Sequence, residues 1–305
     1  MLEVLITGLA LGALYAIVAL GYTMVYGIIE LINFAHGDVF TLGGFISIPV
    51  ISLLINQNSL TVSPLHSVIA IAVAMVVAAV VCGAIGMFIE FVAYRPLRNA
   101  PKLAPLITAI GVSLILENAM YQWQGGIPVF YPLVLTETTY TIFGAAITNV
   151  DIVVFAVAVL MMIALDIFVN RTRWGKAMRA VAQDREAASM MGINVNLIIS
   201  ITFLVGSALA GAGAVIYGID QGSIGYNSGF TLGLFAFTAA VLGGIGNIRG
   251  AVLGGFLIGL ITAYVQSLGA GGGTEWYDVV IFAILVLILV FRPSGLLGAS
   301  VTEKV

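Results

Sequence analysis

Between Ser67 and Ile89 the chain reads SVIAIAVAMVVAAVVCGAIGMFI, with no charged side chain. A helix needs about 20 such residues to cross roughly 30 Å of hydrocarbon. The run does not stand alone. Apolar segments lie at 4–29, 38–55, 66–93, 103–121, 152–169, 198–218, 230–247, 250–268 and 277–291. Only 8% of the 305 residues are charged, and 61% are hydrophobic. A soluble domain of this size would need about 25% charged residues to cover its surface. The expected fold is therefore an all-α polytopic membrane protein with about 8–9 membrane segments. A transmembrane barrel would show alternating segments of about 10 residues, and these runs are too long and continuous for that. No Lys or Arg precedes the first run, which also exceeds a signal h-region, so it reads as a retained span. Cys82, the single cysteine, reads as a small packing residue. A net charge of −3 gives nucleic acid nothing to bind.

The cations order these segments. Arg95, Arg98 and Lys102 share one loop, and Arg171, Arg173, Lys176, Arg179 and Arg185 share another. Arg249 stands between two segments, and Arg292 and Lys304 follow the last. The loops around 56–65, 122–151, 219–229 and 269–276 have none. Cationic and cation-free loops alternate, which places the cationic ones and the C-terminus in the cytoplasm. The N-terminus is then outside if all nine segments cross. One junction breaks the alternation: residues 30–37 carry no Lys or Arg. That stretch reads as one that never fully leaves the membrane, which makes nine crossings an upper count.

The same junction opens an internal echo. NFAHGD precedes FTLGGF at 40–45, and DQGSIGYNSG precedes FTLGLF at 230–235. By the loop charges the two copies run in opposite directions. This is the pattern of inverted repeats with discontinuous helices meeting near the midplane. The repeats would cover about 4–170 and 198–292 within one transmembrane domain, 1–305. Gly37 and Asp38 are expected to stop one helix and start another, with Asp38 capping a helix from Val39. Ser228 is expected to cap one from near Phe230. Two such helix starts would offer free N–H donors and positive dipole ends. Gly8/Gly12, Gly250/Gly254 and Gly255/Gly259 stand at small-xxx-small spacing, which lets helices approach closely in lipid.

Residues 171–194 read RTRWGKAMRAVAQDREAASMMGIN, the only long polar segment on the cationic side. Trp174 to Met191 is expected to be one helix, ended by Gly192 and Asn194. Ala177, Val181, Ala188 and Met191 form its apolar stripe. Such a helix can lie on lipid headgroups or dock into a partner's groove. Its small side chains favour docking.

Glu186-Ala187-Ala188 followed by Gly192 resembles the EAA-x-x-x-G signature of ABC importer permeases. With GALYAIVALGYTMVYGIIELINFAHGDVFTLGGF, GKAMRAVAQDREAASMMGI, AAVLGGIGNIRGAVLGGFLIG and RPSGLLG, the whole chain resembles the branched-chain amino acid permeases of bacterial ABC importers. Sister permeases for other neutral amino acids, amides or urea share these motifs. The resemblance implies an inner-membrane subunit that pairs with a second, related permease. It further implies two cytoplasmic ATPase subunits and a periplasmic amino-acid-binding protein. Asn33, His36, Gly37, Asp38, Thr41, Asn227, Ser228 and Thr231 would line the substrate pathway. Gly175, Arg179, Asp184, Glu186, Ala187, Ala188 and Gly192 would couple to the ATPases. The chain has no GxxxxGK[ST] phosphate loop, so ATP and Mg would belong to those partners.

Other polar residues in the apolar runs have blander readings, although an ionisable group in lipid is always a candidate site. Glu90 and Asp166, close to Arg95 and Arg171, would be paired or solvated at the interface, and Gln266 would bond between helices. Glu117 could face an outward cavity or water. His36 reads as a hydrogen-bonding brace rather than a proton relay or metal ligand. With no nucleophile–base constellation, no enzyme is expected. An ion-coupled secondary transporter using Asp38, Glu30 or His36 is the alternative, but it leaves segment 171–194 unexplained. A channel leaves it unexplained too.

Overall fold

The computed structural model describes residues 1–55, 63–98, 100–101, 103–135, 138–142, 145–268 and 273–298. Each of the nine apolar segments forms a helix. These are α1 (Leu2–Ile29), α2 (Ala35–Leu54), α3 (Pro64–Ile89), α4 (Leu103–Gln124), α5 (Asn149–Arg171), α8 (Val195–Gln221), α9 (Ser228–Gly243), α10 (Ile248–Ser267) and α11 (Gly273–Phe291). The polar segment between α5 and α8 forms two short helices, α6 (Arg173–Gln183) and α7 (Arg185–Met190). Among the described residues, seven helices are long and apolar enough to cross a membrane: α1 to α5, α8 and α10. Helix α9 has 16 residues, about 24 Å at 1.5 Å per residue, and so falls short of a full crossing.

Helix α1 is the centre of the bundle. Every residue from Gly12 to Val25 is buried, as expected of a helix that is apolar all round. Helix α10 lies along it, with Gly12 against Gly259 and Gly255 against the backbone of Ala16. On its other edge α10 meets α9, with Gly250 and Gly254 against Gly243 and Ala239. All three small-xxx-small pairs therefore sit at helix contacts, where missing side chains let backbones approach and gain dispersion contact. Cys82 is buried, and its thiol sits among Val39, Gly43 and Gly211.

Among the described residues, strands form two small pairs. β1 (Val129–Phe130) pairs antiparallel with β4 (Ser223–Ile224), and β2 (Thr139–Ile142) pairs with β3 (Ala145–Thr148). The first ties the segment after α4 to the link between α8 and α9. Tyr131 adds an N–H bond to the Gly222 carbonyl at 2.9 Å, and its hydroxyl shares a 2.7 Å bond with Ser47. Both pairs lie at the end of the bundle that carries no Lys or Arg. Cations gather at the other end, where Arg98 and Arg185 line one pocket and Arg179 and Arg249 another.

Candidate functional site

Helix α1 stops at Glu30, which takes a left-handed backbone (φ 59, ψ 28), and its N–H closes on the Tyr26 carbonyl at 2.8 Å. A non-glycine residue is uncommon there. Residues 31–34 then fold the chain back, and α2 starts beside α1 rather than beyond it. The His36 ring packs edge-on to Tyr22, with centroids 4.8 Å apart. It fills the space left by the missing side chain of Gly21. Gly21 lies eight residues before α1's last residue, so α2 begins about 12 Å short of that end.

The break therefore lies earlier than the sequence implied. Phe34 already has helical dihedrals (φ −62, ψ −28), and α2 runs from Ala35 straight through Gly37. Asp38 is its fourth residue and is not its cap. Fully buried, Asp38 turns sideways, and its Oδ2 accepts a 2.5 Å bond from Ser113 on α4. The half-buried Glu117 stands one turn beyond Ser113 on the same helix. Asp38 Oδ1 has no partner among the described residues. Neither ring nitrogen of His36 makes a hydrogen bond of ordinary geometry among the described residues. His36 thus braces the break by packing, not by hydrogen bonds. The polar tie comes from Asn33, whose Oδ1 accepts from the Tyr94 hydroxyl at 2.8 Å. Tyr94 ends a π-helical turn, Glu90–Tyr94, that continues α3.

Gly37 serves the approach of α9. A Cβ on Gly37 would collide with the Gly229 carbonyl, and a Cβ on Gly229 would collide with the Gly37 carbonyl and the Thr41 hydroxyl. Gly229 N–H donates to Thr41 Oγ1 at 2.7 Å. One turn on, Gly233 lies against Gly37, and Phe237 lies 6.3 Å from Phe34, centroid to centroid. Rising numbers on one helix meet falling numbers on the other, so the two echoed segments cross antiparallel at their N-terminal turns.

The start of α9 also departs from expectation. The helix begins at Ser228, and no side chain caps it from Asn227. Ser228 Oγ accepts instead from Gly225 N–H at 2.9 Å, closing the preceding turn. The first N–H groups are engaged: Ser228 with Gly225 O, Gly229 with Thr41, Phe230 with Asn227 O. Free backbone donors are therefore not what this helix start offers. It presents side chains. Asn227, Ser228 and Thr231 line a cleft of about 480 Å³ at the cation-free end, together with Tyr15, Asp220 and Gln266. Gln266 faces this cleft, where the sequence implied a bond between helices. The other five predicted pathway residues, Asn33, His36, Gly37, Asp38 and Thr41, are buried below it. Gly229, next to Ser228, joins the two groups through its contacts with Gly37 and Thr41.

At the cation-bearing end, Thr172 caps α6 by accepting from Gly175 N–H at 3.0 Å. A Cβ on Gly175 would strike the carbonyls of Phe168 and Val169, so glycine is what allows the sharp corner after α5. Arg179 folds back onto the Val169 carbonyl. The expected single helix over Trp174–Met191 is broken at Asp184, whose extended backbone ends α6 and whose carboxylate caps α7. Its Oδ1 accepts from Glu186 N–H at 2.9 Å and Ala187 N–H at 3.0 Å. Asp and Asn compete with the helix for backbone donors, which is why they cap and break helices. Ala188 is buried, and Gly192 ends the segment with φ +82. Glu186 and Ala187 stay exposed. So do Met190 and Met191, at 85% and 82%, which removes Met191 from the inward stripe. Arg185 reaches the Ile28 carbonyl at 2.9 Å, filling an acceptor that the end of α1 leaves open.

Glu90 pairs with Arg98, not Arg95, and also accepts from Ser200 at 2.6 Å. Burial lowers the Arg98 guanidinium from its usual range, and the Glu90 charge opposes this. Asp166 accepts from Asn170 at 2.8 Å rather than from Arg171. Tyr94, Arg98 and Asp220 belong to these sites and were not singled out by sequence. Only Asp220 carried a signal, its place in the polar stretch before the second echo.

Residues 4–289 match the family described as branched-chain amino acid transport system / permease component. The chain is 44% identical to the high-affinity branched-chain amino acid transport system permease protein BraD of Pseudomonas aeruginosa, over 100% of this chain and 98% of that one. It is 42% identical to the permease protein LivH of the corresponding system in Escherichia coli K12, over 100% and 97%. LivH of Salmonella typhimurium is 41% identical over the same shares. No solved structure matches the chain.

Proposed function

The chain belongs to the branched-chain amino acid transport permease family, and from that premise we propose that it forms half of the translocation pathway of an ATP-driven importer for branched-chain amino acids. It would do so in the bacterial inner membrane, with its cation-bearing end and C-terminus in the cytoplasm. A homologous second permease, two cytoplasmic ATPase subunits and a periplasmic amino-acid-binding protein complete the assembly. ATP and Mg²⁺ belong to the ATPase subunits.

The observation that carries the reading is the joint between α6–α7 and the break after α1. Glu186, Ala187, Met190 and Met191 form an exposed knob at the cation-bearing end, whereas Asp184, Ala188 and Gly192 shape it. Arg185, between them, holds the last turn of α1 by the Ile28 carbonyl. A push on the knob reaches the break, and through Asn33, His36 and Gly37 the crossing of α2 with α9. That crossing separates a cleft at the periplasmic end from the cytoplasmic pocket. Inverted repeats over about 4–170 and 198–292 would account for two broken elements meeting antiparallel. Asn227, Ser228 and Thr231 would receive the substrate, and the five buried residues would form the gate beneath.

Glu186→Arg tests the coupling. The substitution leaves the Asp184 cap in place, so the chain should insert and assemble. Substrate-stimulated ATPase activity of the complex should fall about tenfold, as for a charged contact reversed at an interface. Unchanged stimulation would remove the docking role.

A further inference from the structure

The cleft at the cation-free end has a chemistry that the pathway reading leaves undetermined. Its floor is hydrocarbon, from Leu14, Leu232 and Phe235. Its rim carries Asp220, on the last turn of α8, and Tyr217 and Tyr277 line the same cleft. The Asp220 carboxylate is half-buried, and Gln221 Nε2 donates to its Oδ2 at 2.6 Å. That bond leaves the charge in place. A carboxylate in such a setting ordinarily has a cation beside it. None is at hand among the described residues, whose Lys and Arg all fall at the opposite end of the bundle or just beyond α11. The C-terminal end of α8 adds its own partial negative charge, and the phenol rings offer faces that attract a cation. The other cleft acid, Asp151, is committed as a cap. Its Oδ2 accepts from Thr148 N–H at 3.0 Å and from the Thr148 hydroxyl at 2.7 Å.

We infer that Asp220 is the receptor for the primary ammonium group of an aliphatic amino acid entering the cleft, with the aliphatic side chain laid on Leu14, Leu232 and Phe235. The hydroxyls of Ser228 and Thr231 and the amides of Asn227 and Gln266 are left for the substrate carboxylate. A cavity of about 480 Å³ is far larger than a bare metal ion requires, and its floor offers an ion nothing. The inference rests on the importer reading and sharpens it. It assigns one end of the substrate to one residue at a stage after release from the binding protein.

Saturation-transfer NMR on the detergent-purified permease–ATPase complex, without binding protein, tests it. The probes are L-leucine and 4-methylpentanoate, which has the same carbon skeleton and carboxylate but no ammonium. Leucine should show transfer and 4-methylpentanoate should show none. Asp220→Asn should weaken leucine binding about tenfold to a hundredfold, the worth of a hydrogen bond to a charged group. Asp220→Glu should restore most of it. Equal transfer from both probes, or leucine binding within twofold of the parent in Asp220→Asn, would overturn the assignment. Leucine transfer that vanishes when choline replaces sodium in the buffer would also overturn it, in favour of a metal ion at Asp220. ATP-dependent uptake by the unaltered complex in vesicles is scored separately, so the importer reading can stand if Asp220 fails.

Discussion

Glu90 shows how a single side chain in this protein is held. It is fully buried and ionisable, and it is satisfied from two directions, by Arg98 and by Ser200. Removing one partner of a buried pair costs about 3–5 kcal/mol because the other charge is stranded, whereas removing both charges together is often neutral. Arg98→Met should therefore lower the melting temperature of the purified chain by several degrees. The double variant Glu90→Gln/Arg98→Met should recover most of the loss. A single variant that melts with the parent would show that the pair contributes nothing. The sequence pointed to a cationic neighbour for Glu90 near Arg95, five residues on. The π-helical turn at Glu90–Tyr94 is what aims Glu90 at Arg98, and no residue type announces such a turn. Asp38 was misplaced for a related reason. A buried Asp at the edge of an apolar run reads as a cap, and only the fold reveals Ser113 as its partner.

At the level of helices, the crossing of α2 and α9 is the element on which the account depends. Gly229 and Gly37 let the two backbones touch, with Thr41 receiving the Gly229 N–H. Gly229→Val would drive a branched side chain into a carbonyl and a hydroxyl, so the helices must part. Overpacking of this kind costs about 1–3 kcal/mol, and uptake by the assembled complex should drop at least about tenfold. Gly111→Ala is the control, since a Cβ there meets nothing within 4 Å. It should leave the melting temperature of the purified chain unchanged or raise it slightly, because alanine favours a helix over glycine by up to about 1 kcal/mol. Equal losses from the two substitutions would deny the crossing any special role. The nine apolar helices, the antiparallel sense of the echoed pair and the three glycine pairs were legible, because hydrophobic length, loop charge and small-residue spacing are local signals. The position of the break was not. Glu30, rather than the expected glycine, takes the left-handed turn, and Gly37 is kept for the contact with Gly229.

The whole molecule has two unlike ends. Among the described residues, one holds the membrane-flanking Lys and Arg, the α6–α7 knob and the Arg185 contact on the end of α1. The other holds a cleft with acids, phenols and an aliphatic floor. Between them lies the crossing of α2 with α9, where Gly229 is held against Gly37 and Thr41. In the proposed importer, opening that crossing would take work from the ATPases, entering at the knob. The most direct measurement is leucine uptake into proteoliposomes. The account predicts no uptake by this chain alone under any proton or sodium gradient. It predicts uptake when the second permease, the ATPase subunits, the binding protein and ATP are all supplied. Uptake by the chain alone, driven by an ion gradient without ATP, would contradict it.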